Sequence, residues 1–240
     1  MKKASLAIAV VIACASLSIL SSCNFACVHG SGKLATEQRK ANDFKKIDIS
    51  GAFKIHLKQD SSLSISITGD DNLLKYVSTS VEGDRLLIKS KKSMCDVDSI
   101  VVNIGVHNLN EIKSSGAVEV SSTGKIITGD LNIHLSGATK VNLDLNAANV
   151  VTDGSGVSEL NLKGQAASHR IESSGVAKVN AFDFVVGDYT VNTSGVSNCK
   201  INVLKTLNVR SHGAAEIQYK GSPSTVNSDK AGASKIQKVD

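Results

Sequence analysis

Apolar and polar residues alternate along most of the chain after residue 110, and the alternation recurs around a short glycine motif. Runs such as Val141–Leu145 and Glu159–Lys163 have the two-residue period of a strand with one buried face, not the period of a helix. The motif is a small or polar residue, then Gly, then Ala or Val, and its glycines are Gly116, Gly137, Gly156, Gly175, Gly195, Gly213 and Gly232. Successive glycines lie 18 to 21 residues apart, about 19 on average, which predicts the stacked coils of a parallel β-helix or β-solenoid.

We call each repeated segment a unit. Residues at the same position in every unit form a column, and columns are numbered from the glycine, so that column −1 is the residue directly before the glycine. Columns −4 and +4 are mostly apolar and are predicted to face inward. Column +3 alternates between Glu and Lys, so strands stacked in parallel register would place opposite charges side by side. Column +5 contains Asn142, Asn161 and Asn180, an amide row of the kind that stacked strands favour. The glycine is predicted to bend the backbone at a corner of the coil.

The segment before the repeats, residues 33–110, is less regular. One further unit surrounds Gly51, and 65 residues separate that glycine from Gly116. Alternating runs at 63–68, 85–90 and 100–106 predict strands of a sheet-like cap on the first coil, and residues 72–77 predict a short helical turn. The chain is therefore predicted to be all-β, with an irregular β region at 33–110 and a repeat β-solenoid at 111–240 that together form one continuous domain.

The composition agrees with this fold. Aromatic residues make up 3% of the chain, and the single proline, Pro223, lies between the last two units. A narrow coil accommodates few rings, and proline cannot donate the amide hydrogen bond that each strand gives to the next coil. The interior is expected to consist of Val, Ile, Leu and Ala.

The N-terminus has the pattern of an export signal. Lys2 and Lys3 precede an uncharged apolar run, and Leu20-Ser21-Ser22-Cys23 resembles a bacterial lipobox. That resemblance implies cleavage of a lipoprotein signal peptide at 1–22, lipidation of Cys23 with acyl chains such as palmitate, and a lipidated tether at 23–32. The alternatives are an ordinary signal peptide or a single membrane helix. We expect a lipid-anchored protein of the cell envelope at the outer membrane, with the periplasmic or cell-surface face left open.

The net charge excludes a nucleic-acid partner. The full chain carries +5, and removal of residues 1–22, with two lysines and no acidic residue, leaves 25 basic and 22 acidic residues. The short basic runs have neither clustered arginines nor interleaved aromatics, so they are interpreted as solvated faces.

The cysteines and histidines predict no metal site and no cofactor. Cys14 leaves with the signal and Cys23 takes the lipid, so at most one disulfide can form among Cys27, Cys95 and Cys199, with the pairing open. The histidines of the units fall at different columns and would be scattered by stacking.

Several motifs together resemble a known family. Residues Asp43–Phe53, Gly69–Leu74 and Val81–Leu86 and the Ser-Gly-Ala/Val units are similar to the family called putative auto-transporter adhesin, head GIN domain, over about residues 40–237. The resemblance implies a right-handed β-helix-like all-β fold on an envelope-anchored protein, and it transfers no catalytic or binding residue.

Three functions remain open, and no residue is assigned a catalytic role. The first is non-catalytic adhesion, or glycan or protein binding, through a polar face made of the column +5 asparagines and the column −1 serines Ser115, Ser136, Ser155, Ser174 and Ser194. The second is a structural envelope lipoprotein without a ligand. The third is a polysaccharide-active enzyme, for which column −3 offers Asp153, Glu172 and Asp229 beside Lys113, His134, Asn192 and Arg210.

Overall fold

The computed structural model describes residues 27–95 and 100–239, and this part of the chain is built from β-strands. The strands are β1 (Val28–His29), β2 (Leu34–Lys40), β3 (Lys46–Gln59), β4 (Ser64–Asp70), β5 (Val77–Glu82), β6 (Arg85–Ser90), β7 (Met94–Cys95), β8 (Ile100–Val106), β9 (Glu111–His212), β10 (Ala214–Lys220), β11 (Thr225–Ala231) and β12 (Ser234–Lys238). A single turn of 3-10 helix at Leu74–Tyr76 lies inside the predicted helical turn. Within these residues, no helix has the length and apolar character needed to span a membrane. The all-β prediction is confirmed.

The long strand β9 spans 102 residues and folds back on itself, one unit against the next. The unit around Gly51 pairs in parallel with the first unit of β9, with Gly51 opposite Gly116. Each later unit glycine lies against the backbone of the glycine before it. Parallel pairing continues beyond β9, because β10 pairs with β9 and β12 pairs with β10.

The glycine contact leaves no room for a side chain. A Cβ placed on Gly156 would lie 2.6 Å from the carbonyl oxygen of Gly137, and one on Gly175 would lie 2.4 Å from that of Gly156. The φ angles of these two glycines, +89° and +150°, also belong to conformations that favour glycine. The predicted bend at the glycine is confirmed at these positions, and its physical reason includes a close backbone approach that sequence alone did not indicate.

Columns −4 and +4 are buried from the Gly116 unit to the Gly213 unit, as predicted, but in the last unit Ser228 is exposed and Ile236 is half-buried. Val120, Val141 and Ile133 are fully buried, and Leu160 and Ile171 are each 2% exposed. The interior also holds aromatic rings, since Phe44, Phe53, Phe184 and Tyr189 are among the largest buried side chains. These four rings lie in the core, whereas Tyr76, Phe182 and Tyr219 are half-buried.

One layer of the core is polar. His169 is 1% exposed, and its two ring nitrogens lie 3.1 Å from Thr152 Oγ1 and 3.0 Å from Tyr189 Oη. The ring of Phe184 packs edge-on against the imidazole at 5.8 Å between centroids. Burial lowers the pKa of His169 to about 3, because the charged imidazolium would lose its hydration. His169 therefore packs as a neutral core residue with both nitrogens hydrogen-bonded.

The N-terminal region forms a mixed sheet around β3. Strand β3 pairs in parallel with β6, β8 and β9, whereas β2–β4, β4–β8 and β5–β6 are antiparallel. The segment before β2 is attached separately, because β1 pairs with β7 and a disulfide joins Cys27 to Cys95. This bridge answers the open pairing question and leaves Cys199 as a buried free thiol, whose pKa burial raises to about 12.

Replacement of Gly156 by alanine is expected to destabilise the fold by about 3 kcal/mol, because the new Cβ meets the Gly137 backbone and the φ angle is unfavourable. Urea unfolding of the purified protein measures this change. Gly129→Ala is the matched control, since nothing lies within 4 Å of its added Cβ, and it should leave stability unchanged or raise it by up to about 1 kcal/mol. Equal effects of the two substitutions would contradict the role assigned to the glycine stack.

Buried His169 is expected to make the protein less stable as the pH falls below neutral. The unfolded chain protonates this group near pH 6.5 and the folded chain only near pH 3, so stability is complete above 6.5 and declines between these values. The loss is about 2 kcal/mol at pH 5 relative to pH 7.

Unfolding free energies at pH 7 and pH 5 for the parent, His169→Gln and His107→Gln test this expectation. His107 is exposed, so its variant should keep the pH dependence of the parent. The dependence should shrink only in His169→Gln, and an unchanged dependence in that variant would contradict the expectation.

Candidate functional site

The residues that precede the unit glycines line an open groove of about 780 Å³ along the stack. We call it the serine groove. One wall is column −3 and the other is column −1, and the residues concerned are Lys113, His134, Asp153, Glu172, Asn192 and Arg210 in the first and Ser136, Ser155, Ser174, Ser194 and His212 in the second. Stacking in register places one residue of each column on every unit, so column −1 presents a serine hydroxyl on four successive units, whereas column −3 presents a different charged or polar side chain on each.

The serines divide into bonded and free hydroxyls. Ser115 Oγ donates to the carbonyl oxygen of Ile49 at 3.4 Å, and Ser136 Oγ donates to that of Ser114 at 3.2 Å. Ser155, Ser174 and Ser194 are exposed, and none of the described residues accepts from or donates to their hydroxyls. Four of the five predicted serines line the groove, and Ser115 does not. Three successive units thus offer an unoccupied hydroxyl to solvent.

The two acidic residues of column −3 that line the groove each have a basic partner. Asp153 Oδ2 lies 3.0 Å from His134 Nδ1, and Glu172 is paired with Arg170. The side chains of Asp153 and Glu172 are 41% and 44% exposed. Glycosidase chemistry requires one carboxyl kept protonated by a dry or acidic environment beside a second, ionised one. Paired, solvated carboxylates do not have that arrangement, so we assign no catalytic role to them.

The third predicted carboxylate does not join the groove. Asp229 belongs to β11 and lines a different depression, together with residues such as Asn208 and Ser228. The constellation of Asp153, Glu172 and Asp229 that the sequence offered for an enzyme is therefore not brought together.

The floor of the groove comes from column −2, which the sequence analysis did not single out. Ser114 is 1% exposed and its hydroxyl has no hydrogen-bond partner among the described residues, while Thr193 Oγ1 donates to Ser211 Oγ at 3.3 Å. Gly154 interrupts this column and leaves the floor without a side chain at its unit. The sequence does contain a sign of this column, because Ser and Thr recur at a position that the alternation of apolar and polar residues assigns to the interior.

The asparagines of column +5 are bonded to one another. Asn180 Nδ2 donates to Asn161 Oδ1 at 2.6 Å, and Asn161 Nδ2 donates to Asn142 Oδ1 at 2.7 Å. Asn142 Nδ2 in turn lies 3.4 Å from Glu119 Oε1. None of the three lines the serine groove. These side-chain hydrogen bonds join one unit to the next. The asparagines lie apart from the free serine hydroxyls, although the sequence predicted that both belong to one polar face.

Metal ligands do not converge in the part of the chain that the structure describes. In residues 27–95 and 100–239, no group of three or more His, Cys, Asp or Glu could hold an ion. Cys23, the predicted lipidation site, lies outside those residues.

Comparison with known proteins agrees with the fold. A solved structure described as a "putative adhesin" from Bacteroides fragilis NCTC 9343 is 24% identical, covers 88% of this chain and 100% of its own, and superimposes with a TM-score of 0.84. A "putative adhesin" from Parabacteroides distasonis ATCC 8503 is 21% identical over 88% and 99% of the two chains, with a TM-score of 0.70. A "putative lipid binding protein" from the same strain is 19% identical over 89% and 99%, with a TM-score of 0.68.

The search of curated proteins found no match. The structural similarities, all below 25% identity, establish a shared fold. The family model described as "Putative auto-transporter adhesin, head GIN domain" matches residues 43–223, about the span over which the motifs resemble that family. The chain belongs to this adhesin-like family.

Proposed function

We propose that this chain is an envelope lipoprotein that uses the serine groove as a non-catalytic adhesion site for a glycan or a surface protein. The observation that carries the proposal is the row of free hydroxyls on Ser155, Ser174 and Ser194. Each hydroxyl can donate and accept one hydrogen bond with a ligand hydroxyl or amide. Among the described residues, no Phe, Tyr or Trp lines the groove, so the binding consists of weak, repeated polar contacts instead of one tight pocket.

The repeated contacts follow from the architecture, which we infer to be a right-handed parallel β-solenoid. Parallel pairing from β3 through β9 and β10 to β12 supports it, as does the glycine stack. Neighbouring units in such a stack are about 4.8 Å apart, so the three hydroxyls span about 10 Å. An extended ligand with a regular repeat can therefore contact several units at once.

An envelope location is supported by two observations besides the family membership. The Cys27–Cys95 disulfide is typical of proteins that mature in an oxidising compartment. The lipobox-like run before Cys23 matches the signal of a lipid-anchored protein. The description of the family as adhesin-like also suggests association with the envelope or surface.

Substitution of Ser155, Ser174 and Ser194 together by alanine is expected to weaken ligand binding at least tenfold, because three hydrogen bonds are lost at once. The measurement is binding of the full chain to an array of bacterial and host glycans and matrix proteins, followed by titration of the best ligand. The control replaces three exposed serines outside the groove by alanine and should bind like the parent; these are Ser61, Ser93 and Ser228.

Two results would contradict the proposal. One is equal affinity of the groove variant and the parent for every ligand found, and the other is absence of binding across the array. Surface display is a further requirement of adhesion to external ligands, so complete protection of the domain from protease added to intact cells would also contradict that role.

Replacement of Cys23 by alanine is expected to abolish incorporation of labelled palmitate, because the acylated residue is gone. Cys14→Ala is the matched control, since that cysteine lies in the predicted signal segment and its variant should remain lipidated. Metabolic labelling measures both variants. Lipidation that persists in Cys23→Ala would contradict the proposed anchor.

A further inference from the structure

A second surface lies on the other side of the unit glycines. Column +1 places large apolar side chains in solvent on three successive units, with Val157 59%, Val176 49% and Val196 57% exposed. Isolated exposed apolar residues need no explanation, but a stacked row of them marks an interaction surface. We call the column +1 residues of the units from Gly51 to Gly195 the Ala/Val strip.

The strip has an asymmetric sequence. Its first three units carry alanine and its next three carry valine, in the order Ala52, Ala117, Ala138, Val157, Val176 and Val196. Column +3 lies beside it on the same outward face, because the intervening column +2 is buried at positions such as Val118 and Ala177. Over the same six units this column reads Lys54, Glu119, Lys140, Glu159, Lys178 and Asn198.

A second copy of the chain complements both columns when the two stacks face each other with their axes reversed. A two-fold axis across the stack places every column opposite itself in reverse order. With the Gly137 unit opposite the Gly156 unit, the facing pairs are Ala138–Val157, Ala117–Val176 and Ala52–Val196 in the strip, and Lys140–Glu159, Glu119–Lys178 and Lys54–Asn198 beside it. Each valine then meets an alanine, and no like charges meet.

Other registers fail in one column or the other. A shift by one unit in either direction places lysine opposite lysine and glutamate opposite glutamate. A shift by two units either leaves Val176 and Val196 uncovered or brings Glu119 opposite Glu216. Contacts within one chain, such as Lys178 Nζ to Glu159 Oε1 at 3.6 Å, account for the charge alternation but not for the division of the strip into alanines and valines.

We propose that the chain pairs with a second copy of itself through the Ala/Val strip, with the two stacks antiparallel. The surface has room for such packing, because a depression of about 540 Å³ runs beside the strip and is lined by Ala117, Ala138, Val157 and Val176 together with Phe53. Six units span about 25 Å, so the contact is smaller than a standard interface and the dimer is weak in dilute solution. Anchoring of many copies to one envelope raises their effective concentration and favours the pair.

Cysteine crosslinking of the full chain in detergent micelles tests the register. Ala117 of one copy faces Val176 of the other, whereas Ala117 lies three units away from its own counterpart, about 14 Å along the stack. An equal mixture of Ala117→Cys and Val176→Cys chains should therefore form a crosslinked dimer with a short bismaleimide reagent. Each variant alone should form no crosslinked dimer. The parent should form none either, because its free Cys199 is buried.

Sedimentation of the same preparations tests the strip itself. Val157→Asn combined with Val176→Asn should weaken dimerisation at least tenfold, because the facing apolar contacts are lost. The control, Ile127→Asn with Leu204→Asn, changes two residues that are 60% and 53% exposed outside the strip and should leave dimerisation unchanged.

A parent chain that sediments as a monomer at every accessible concentration would overturn the proposal. So would crosslinking of Ala117→Cys alone as efficiently as the mixture, or equal weakening by the control variant. These results are separate from ligand binding in the serine groove, which lies on the other side of the glycines and is expected to persist in the strip variant.

Discussion

Close contact between stacked glycine backbones is the constraint on which the rest of this structure depends. At Gly156 the carbonyl oxygen of Gly137 lies only 2.6 Å from where a Cβ would be, so a unit can lie this close to the preceding one only if it has glycine at the bend. This contact, with the parallel pairing on either side of it, holds successive units in a single register. Because the register is fixed, a residue type repeated in the sequence becomes a row in space.

The chemistry of the molecule is accordingly organised by rows. A row of like charges would repel, and column +3 avoids this by alternating Glu with Lys. In a row of asparagines the side chains can hydrogen-bond to one another, because each amide group donates to the next side-chain carbonyl oxygen. A row of serines beside the bend can do so only partly, and the hydroxyls of Ser155, Ser174 and Ser194 remain available. The surface proposed to bind a ligand is thus the one whose polar groups the stack itself does not use.

Much of this arrangement could be predicted from the sequence, because a fixed spacing makes each column visible in the alignment. The buried columns, the bend at glycine and the neighbourhood of His134 and Asp153 follow from spacing alone. The concavity of the groove does not, since it depends on the backbone angle at the glycines and on the absence of a side chain at Gly154. The free or bonded state of each serine could not be predicted either, because neighbouring carbonyl groups decide it.

The non-repeating region was predicted less completely for the same reason. Without a repeat, spacing does not indicate which strand pairs with which, and the antiparallel partners of β4 became clear only in the structure. Three cysteines allow three pairings, and the choice of Cys27 with Cys95 depends on β1 lying beside β7. The polar layer around His169 was also hidden, because the histidine stands in column −6, which other units fill with buried apolar residues such as Leu131 and Val150.

The Cys27–Cys95 bridge also determines how the domain bears mechanical load. For a molecule held by its N-terminus and pulled through a bound ligand, tension passes from Cys27 through the disulfide directly to Cys95. Residues 28–94, which contain β1 to β6, form a covalently closed loop that carries none of the tension along its backbone. The force enters the fold at β8, which is hydrogen-bonded to β3 on one side and to β4 on the other. The chain from β1 to β6 is in this way bypassed by the pull that an adhesive contact would exert.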